Sequence, residues 1–404
     1  MTQSNSAIVA ATRGRVLWLA LAFLAGCENS TLAPTPTPVA EIATTVAASA
    51  EAPAVAPSSS SPIKTLILGP VGSVSANEAP PPQAGASAAA PAASGAAALP
   101  KAESGVLAKG EADKILPAGS PPKVRLLAPG KEPRAPLAYA FTAADQQAMT
   151  ITLDMQMEMK AGERTLPQTA IPRMAMKMDL RTTEVAPSMD AKVLGELVGI
   201  GVEPNGKAQE AIAKAMEPHL TTMKGLSMSY WVSPHGAVRD MTVTLPKDAP
   251  AAAQQTLAGM NQSLESMVAP LPHDPVGIGG QWEVVTRVNN AGVDILQYAT
   301  YTLKSRAAQR ASIDVSVRQI AASDQVKVPG MPDGMTATLR AFTSSGAGSS
   351  EIDTGHVAPT KGAMKVRSTM TIAVGAALGA VGPAAESITI DSTLSVGYAA
   401  TKKP

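Results

Sequence analysis

The clearest pattern in the chain is an alternation of apolar and polar residues that begins near residue 149. Residues 149–159 and 171–182 both alternate, and methionine fills every second position in "MQMEM" and again in "MAMKM". A period of two places successive side chains on opposite faces of a strand, so the two segments are predicted to form a hairpin of half-buried strands. The apolar face of this hairpin includes Leu153, Met155, Met157, Met174, Met176 and Met178.

The alternation continues to the C-terminus and predicts a large, mostly antiparallel sheet. Further strands are predicted at 226–232, 238–246, 281–288, 293–305, 311–320, 336–345, 349–355, 363–375 and 386–400. Two segments, 205–225 and 250–270, have apolar residues at helical spacing instead. The fold class predicted is therefore α+β, with a large curved sheet or half-barrel and two helices.

Composition divides the chain before this domain. Residues 28–136 hold 18 of the 34 prolines, together with many Ala, Ser and Thr residues. Such a segment buries too little apolar surface to offset the entropy of ordering, so a disordered Pro/Ala-rich tether is predicted over residues 27–135. The β-rich domain then occupies 136–404, as one unit or as halves 136–270 and 271–404.

The first 26 residues have the composition of an export signal. Arg13 and Arg15 precede the apolar run "VLWLALAFLAG", which is short for a transmembrane helix. The next residue is Cys27, the one cysteine of the chain, preceded by "LAG". This stretch is similar to the lipobox of bacterial lipoproteins. The resemblance implies cleavage before Cys27 and acylation of its sulfur, and Glu28 in place of Asp favours the outer membrane.

The β-rich region also resembles known envelope proteins. Long amphipathic strands with a few helices look like the half-barrel domains of periplasmic lipoprotein carriers and lipid carriers. The segment "LPHDPVGIGGQW" and the later "GAGSSEIDTG" resemble sequences of uncharacterised bacterial lipoproteins. Neither resemblance implies a known chemistry.

Charge and motifs exclude several classes of function. Lys plus Arg (33) nearly equals Asp plus Glu (32), whereas a nucleic-acid-binding protein needs a basic surface. The chain has no nucleophile elbow, P-loop or metalloprotease motif. Its histidines lie far apart in sequence, and His235 and His273 are predicted to be surface loop residues. We therefore expect no enzyme, no catalytic residue, no metal site and no cofactor.

The methionine face leaves three interpretations open. It is the core of the sheet, an apolar ligand surface, or a Cu(I) site, since thioethers are soft ligands. Ile151 and Leu180 continue the same face, as core packing predicts, and neither segment contains His or Cys. Methionine is flexible and polarizable, so such a face also fits irregular apolar ligands.

Together these observations predict a lipid-anchored, non-catalytic protein of the cell envelope. Its expected partners are the membrane, through acylated Cys27, and an apolar small molecule held in a β-cup. The alternative is a structural or protein-interaction lipoprotein whose partner is another envelope protein.

Overall fold

The computed structural model describes residues 100, 102–162, 164–166, 171–247, 268–290, 292–326, 335–376 and 386–403. These residues contain two helices, α1 (Glu111–Ile115) and α2 (Lys207–Thr221). The strands are β1 (Lys123–Ala128), β2 (Gln146–Ala161), β3 (Arg164–Thr165), β4 (Arg173–Val185), β5 (Ala191–Glu203), β6 (Ser227–Val232), β7 (Val238–Thr244), β8 (Gln281–Asn290), β9 (Val293–Ala307), β10 (Arg310–Val326), β11 (Met335–Asp353), β12 (Lys361–Ala376) and β13 (Glu386–Lys402).

These strands form one antiparallel sheet. Its order is β1-β8-β9-β10-β11-β12-β13-β2-β4-β5-β6-β7, with the short β3 paired to β2. The strands of the two predicted halves are adjacent blocks of this sheet, and they meet where β13 pairs with β2. The predicted fold class, mostly antiparallel β with a large sheet, is confirmed, and the sheet is open.

The sheet is strongly curved, because strands far apart in its order approach the same short loop. The carbonyl of His235, after β6, accepts a hydrogen bond from the N–H of Leu271 at 2.9 Å. The carbonyl of the preceding residue, Pro270, accepts one from the indole N–H of Trp282 in β8, also at 2.9 Å. In a flat sheet β6 and β8 would lie roughly 43 Å apart, since strands are spaced by about 4.8 Å.

One face of the sheet, which we call the inner face, carries two clusters of buried side chains. Core 1 lies where the curved sheet is filled by the loops around residues 137–141 and 268–276. Trp282, fully buried, stacks on Tyr301 with ring centroids 5.5 Å apart, and Tyr139 stacks on Phe141. Core 2 lies at the other end of the long strands. Its members include Met159, Ile295, Leu339, Phe342, Ile372, Ile388 and Ile390.

The chain enters the domain by inserting a short segment between two strands. β10 and β11 separate after the pair Gln319–Ser344, and residues 104–107 occupy the gap. The N–H of Phe342 bonds to the carbonyl of Ser104, and Ala321 exchanges hydrogen bonds with Gly105 and Leu107. A Cβ at residue 105 would lie 1.7 Å from the carbonyl oxygen of Phe342, so the site requires glycine.

The segment that follows covers the outer face of the sheet. Leu107, Ala112 and Leu116, in and around α1, pack on Val285, Leu296 and Tyr298 to form core 3. The side chain of Arg287 fixes α1 to the sheet, because it bonds to Asp113 as well as to Asp294.

Several predicted boundaries need correction. The tether was predicted to extend to residue 135, but 102–135 belong to the folded domain and include α1 and β1. Strand β5 was not predicted, because its glycines interrupt the alternation. The predicted strands 336–345 and 349–355 are one strand, β11. The predicted helix at 205–225 is confirmed as α2, and it continues through Pro218.

Other predictions fall outside the described residues. They are the export signal 1–26, Cys27, the tether up to residue 99 and the helix at 250–270 except for its last three positions.

Candidate functional site

The predicted ligand-surface residues all lie on the inner face of β2 and β4, but the two methionine runs are staggered. The register pairs Met149 with Met178, Ile151 with Met176 and Leu153 with Met174. Met155 and Met157 lie beyond the start of β4. On the other side of β2 they pair with Leu394 and Ser392 of β13. The two methionine runs therefore share one face of the sheet but are offset along it.

Burial changes along this face. Met178 is only 4% exposed and belongs to core 1, so it packs inside the core and is not part of the accessible surface. Met159 is buried in core 2. Between these ends lie partly buried side chains that form what we call the Met stripe. Its members are Leu153, Met155, Met157, Met174 and Met176.

A row of polar side chains crosses the inner face between the two cores. We call this row the polar belt. It consists of Thr286, Gln297, Gln319, Ser344, Ser368 and Ser392, on β8 to β13. Each member is the registered partner of the next, and the row ends on β2 at Met157.

Hydrogen bonds confirm that the belt side chains lie on one face. The hydroxyl of Ser344 donates to Oε1 of Gln319 at 2.5 Å, and Nε2 of Gln319 donates to Oε1 of Gln297 at 2.8 Å. The hydroxyl oxygens of Ser368 and Ser392 are 2.7 Å apart. Ser344 is buried, whereas the other belt residues are partly buried.

The belt leaves hydrogen-bonding capacity unused. The hydroxyl of Thr286 is buried and has no hydrogen-bond partner within the described part of the chain. The amide nitrogen of Gln297 likewise bonds to none of the described residues. A buried polar group without a partner costs free energy, so the Thr286 hydroxyl is an unsatisfied group at one end of the belt.

The rows beside the belt are apolar. The next row toward core 1 contains Val284, Ala299, Val317, Gly346, Val366, Leu394 and Met155. Gly346 and Gly348 have no side chain, and a Cβ at either position would come within 3 Å of β12. Neither the belt nor this row contains an ionisable side chain, so this part of the inner face is electrically neutral.

The belt was not predicted from the sequence. Its signal is the position of three serines at inward-facing sites of successive strands, separated by 24 residues: Ser344, Ser368 and Ser392. Alternation alone did not reveal it, because Ser and Thr occur on both faces of these strands. Only the register shows which of them form one row.

His235 and His273, both predicted to be surface loop residues, lie in loops and contact each other; His273 is exposed, whereas His235 is partly buried. Their ring centroids are 4.0 Å apart, and Nδ1 of His235 is buried without a described hydrogen-bond partner. Burial, and then the neighbouring His273, lower the pKa of His235 below its ordinary value. His356 lies elsewhere and contacts Asp145, with 2.7 Å between Nδ1 and Oδ2.

The metal-ligating residue types do not cluster within the described part of the chain. Among the described residues, no three His, Cys, Asp or Glu side chains converge on one point. The Asp145–His356 pair connects the loop after β11 to the beginning of β2, next to the buried amide of Gln147.

A groove of about 610 Å³ opens elsewhere, mainly on the outer face. Its lining includes Thr152, Asp154, Arg173, Ala363, Lys365 and Ser395. Asp154 and Arg173 form an ion pair of 3.6 Å at this groove. These side chains lie on the face of the sheet opposite the belt.

Comparison with known proteins assigns no activity. A family of unknown function, DUF6263, matches residues 254–356, about a quarter of the chain. The matched segment includes β8 to β11 and therefore four of the six belt residues. No curated protein matches the chain. Within the described residues, no helix has both the length and the apolar character needed to span a membrane.

Proposed function

We propose that this chain is a non-catalytic, lipid-anchored protein of the cell envelope that holds an apolar ligand against the inner face of its curved sheet. The anchor is the acylated sulfur of Cys27, which follows a lipobox-like "LAG". The location proposed is the outer membrane, because Glu28 stands where an inner-membrane retention signal has Asp.

The observation that carries this proposal is the change in burial along the inner face. Met149, Ile151 and Met178 are sealed in core 1 and Met159 in core 2, but the Met stripe between them is only partly buried. Ligand sites are typically concave and apolar with a few polar groups, and the stripe together with the belt has that composition. Covering roughly 200 Å² of apolar surface would contribute about 5 kcal/mol before the cost of association.

Native mass spectrometry of the exported full chain carrying Cys27→Ser tests the proposal. We expect an adduct of lipid size that is lost on denaturation. A Met155→Lys variant places a charge on the stripe and should lose the adduct, whereas Gln156→Lys, on the neighbouring exposed position, should keep it. A bare mass in both the parent and the control would contradict the proposal, and an adduct of copper mass would favour the Cu(I) interpretation instead.

The anchor is tested separately by fractionation. Cys27→Ser should move the protein from the membrane to the soluble fraction of the envelope. Retention of the variant in the membrane would show that the lipobox-like sequence is not the anchor.

A second candidate function is protein interaction, and the open sheet favours it. In the described residues, β1 and β7 each pair with a strand on one side alone. Exposed edges can accept a strand from another chain. Crosslinking in intact cells would then capture a protein partner through β7, for example from a photoreactive residue at Thr242, and no small molecule would be found.

A further inference from the structure

The polar belt has an unusual position for a row of hydroxyl and amide groups. It crosses six adjacent strands, and cores 1 and 2 lie on either side of it on the same face. Apolar side chains at these positions would join the two cores into one. The belt therefore replaces apolar packing with groups that must be hydrogen-bonded to be stable.

Internal bonds satisfy only part of the belt. Ser344, Gln319 and Gln297 form one chain of hydrogen bonds, and Ser368 and Ser392 form a separate pair. One hydroxyl of the serine pair keeps its proton for a further acceptor, because two hydroxyls share one hydrogen bond. A purely internal network would leave neither this donor nor the buried hydroxyl of Thr286 unused.

The chemistry of the belt selects the kind of group that it can bind. Hydroxyls and amides offer neutral donors and acceptors, and no charged side chain in the belt or in the row beside it would compensate an ion. A carboxylate or an ammonium group would lose its hydration here without gaining an opposite charge. An ester carbonyl or an alcohol has a smaller desolvation cost and matches the available donors.

We propose that the polar belt binds the uncharged polar group of an amphipathic ligand, such as the ester and hydroxyls of an acylglycerol, while the hydrocarbon chain lies on the Met stripe. This inference rests on the proposed function. Ser392 and Met157 are registered partners, so the belt continues directly into the stripe. Adjacent inward rows are roughly 7 Å apart, so a polar group at Ser368 and Ser392 places its first methylenes on Leu394 and Met155.

The test compares three probes that share a twelve-carbon chain: 1-lauroylglycerol, laurate and dodecyltrimethylammonium. Each is titrated below its critical micelle concentration into the full chain carrying Cys27→Ser, and binding is followed by native mass spectrometry or calorimetry. We expect the neutral probe to bind at least tenfold more tightly than either ion. The double variant Ser368→Ala/Ser392→Ala should lower the affinity for the neutral probe about five- to thirtyfold. The difference in affinity between this probe and the two ions should become smaller.

A matched pair of single variants separates recognition from general damage. Ser344→Ala removes a belt hydroxyl, whereas Ser345→Ala removes an exposed hydroxyl from the next residue of β11, on the outer face. Only Ser344→Ala should lower the affinity for the neutral probe. A cooperative thermal unfolding transition of each variant would confirm that it is folded.

The remaining outcomes distinguish this inference from the proposed function. If all three probes bind equally and the belt variants change nothing, the belt is an internal network and the inference fails, although the apolar ligand surface stands. Tighter binding of either ion also overturns it. If none of the three probes binds, the proposed function itself fails.

Discussion

Core 1 and the polar belt lie on the same strands but are built by opposite means. In core 1, Trp282 stacks on Tyr301, and its indole N–H donates a hydrogen bond to the loop carbonyl of Pro270. The next inward pair on β8 and β9, Val284 and Ala299, is also apolar. The pair after it toward core 2 is Thr286 and Gln297, the first two members of the belt. One continuous sheet therefore combines an apolar end, sealed by packing, with a polar middle held by hydrogen bonds.

The strongest test of this comparison is Trp282→Ala, which removes the largest fully buried side chain of core 1. We expect a loss of about 3–5 kcal/mol in the free energy of unfolding, because a large cavity forms and the stacking on Tyr301 is lost. Chemical denaturation measures it. Trp231→Ala is the control, since that ring lies at the sheet edge between Lys192 and Arg239. Equal losses from both variants would contradict a special role for core 1.

A smaller loss of stability is expected from a substitution in residues 104–107, the segment inserted between β10 and β11. Gly105→Ala forces a Cβ into the carbonyl of Phe342 at a residue with φ of 71°. We expect local release of the segment, at a cost of about 2–3 kcal/mol, rather than global unfolding. Hydrogen exchange should show the amides of Ala321 and Phe342 losing protection.

Gly110→Ala provides the matched control for that variant. Gly110 also has a positive φ, of 80°, but no atom lies within 4 Å of the added Cβ. Its cost should be about 1 kcal/mol, and the two amides should stay protected. If Gly105→Ala behaves in the same way as Gly110→Ala, the inserted segment does not hold the two strands.

Removing a hydroxyl from the belt should reduce the free energy of unfolding by a smaller amount. Ser344→Ala should cost about 1 kcal/mol, because it removes a buried hydrogen bond to Gln319. Ser345→Ala, exposed on the same strand, should change stability by less than about 0.5 kcal/mol. Thermal or chemical unfolding of the two variants checks this, and a larger loss from Ser345→Ala would contradict the assignment of inner and outer faces.

The sequence was informative wherever a single strand carried its own signal. The alternation in β2 and β4 identified the apolar face, because burial on one side of a sheet repeats every second residue. The stagger of Met155 relative to Met174 could not be predicted, since register depends on partners far away in the chain. For the same reason the belt was missed, because it exists only when six strands are aligned.

The N-terminal boundary was predicted wrongly for a different physical reason. Residues 102–135 resemble the preceding tether in their proline content. Their order comes from tertiary contacts, such as Arg287 bonding to Asp113 and residues 104–107 filling the gap between β10 and β11. Composition indicates how much apolar surface a segment can bury by itself. It does not indicate which contacts a neighbouring sheet can make with that segment.

The smallest expected effect is a dependence of stability on pH that belongs to the core 1 end and not to the belt. The pKa of His235 is lowered in the folded state, first by burial and then by His273. The unfolded chain therefore binds a proton more readily, with an ordinary pKa near 6.5, and stability declines as the pH falls below that value. His235→Gln should flatten the wild-type decline between pH 7 and pH 5, as measured by unfolding at several pH values. Ser368→Ala, in the non-ionisable belt, should leave the slope unchanged, and a slope unaffected by His235→Gln would show that the His235–His273 pair makes no contribution.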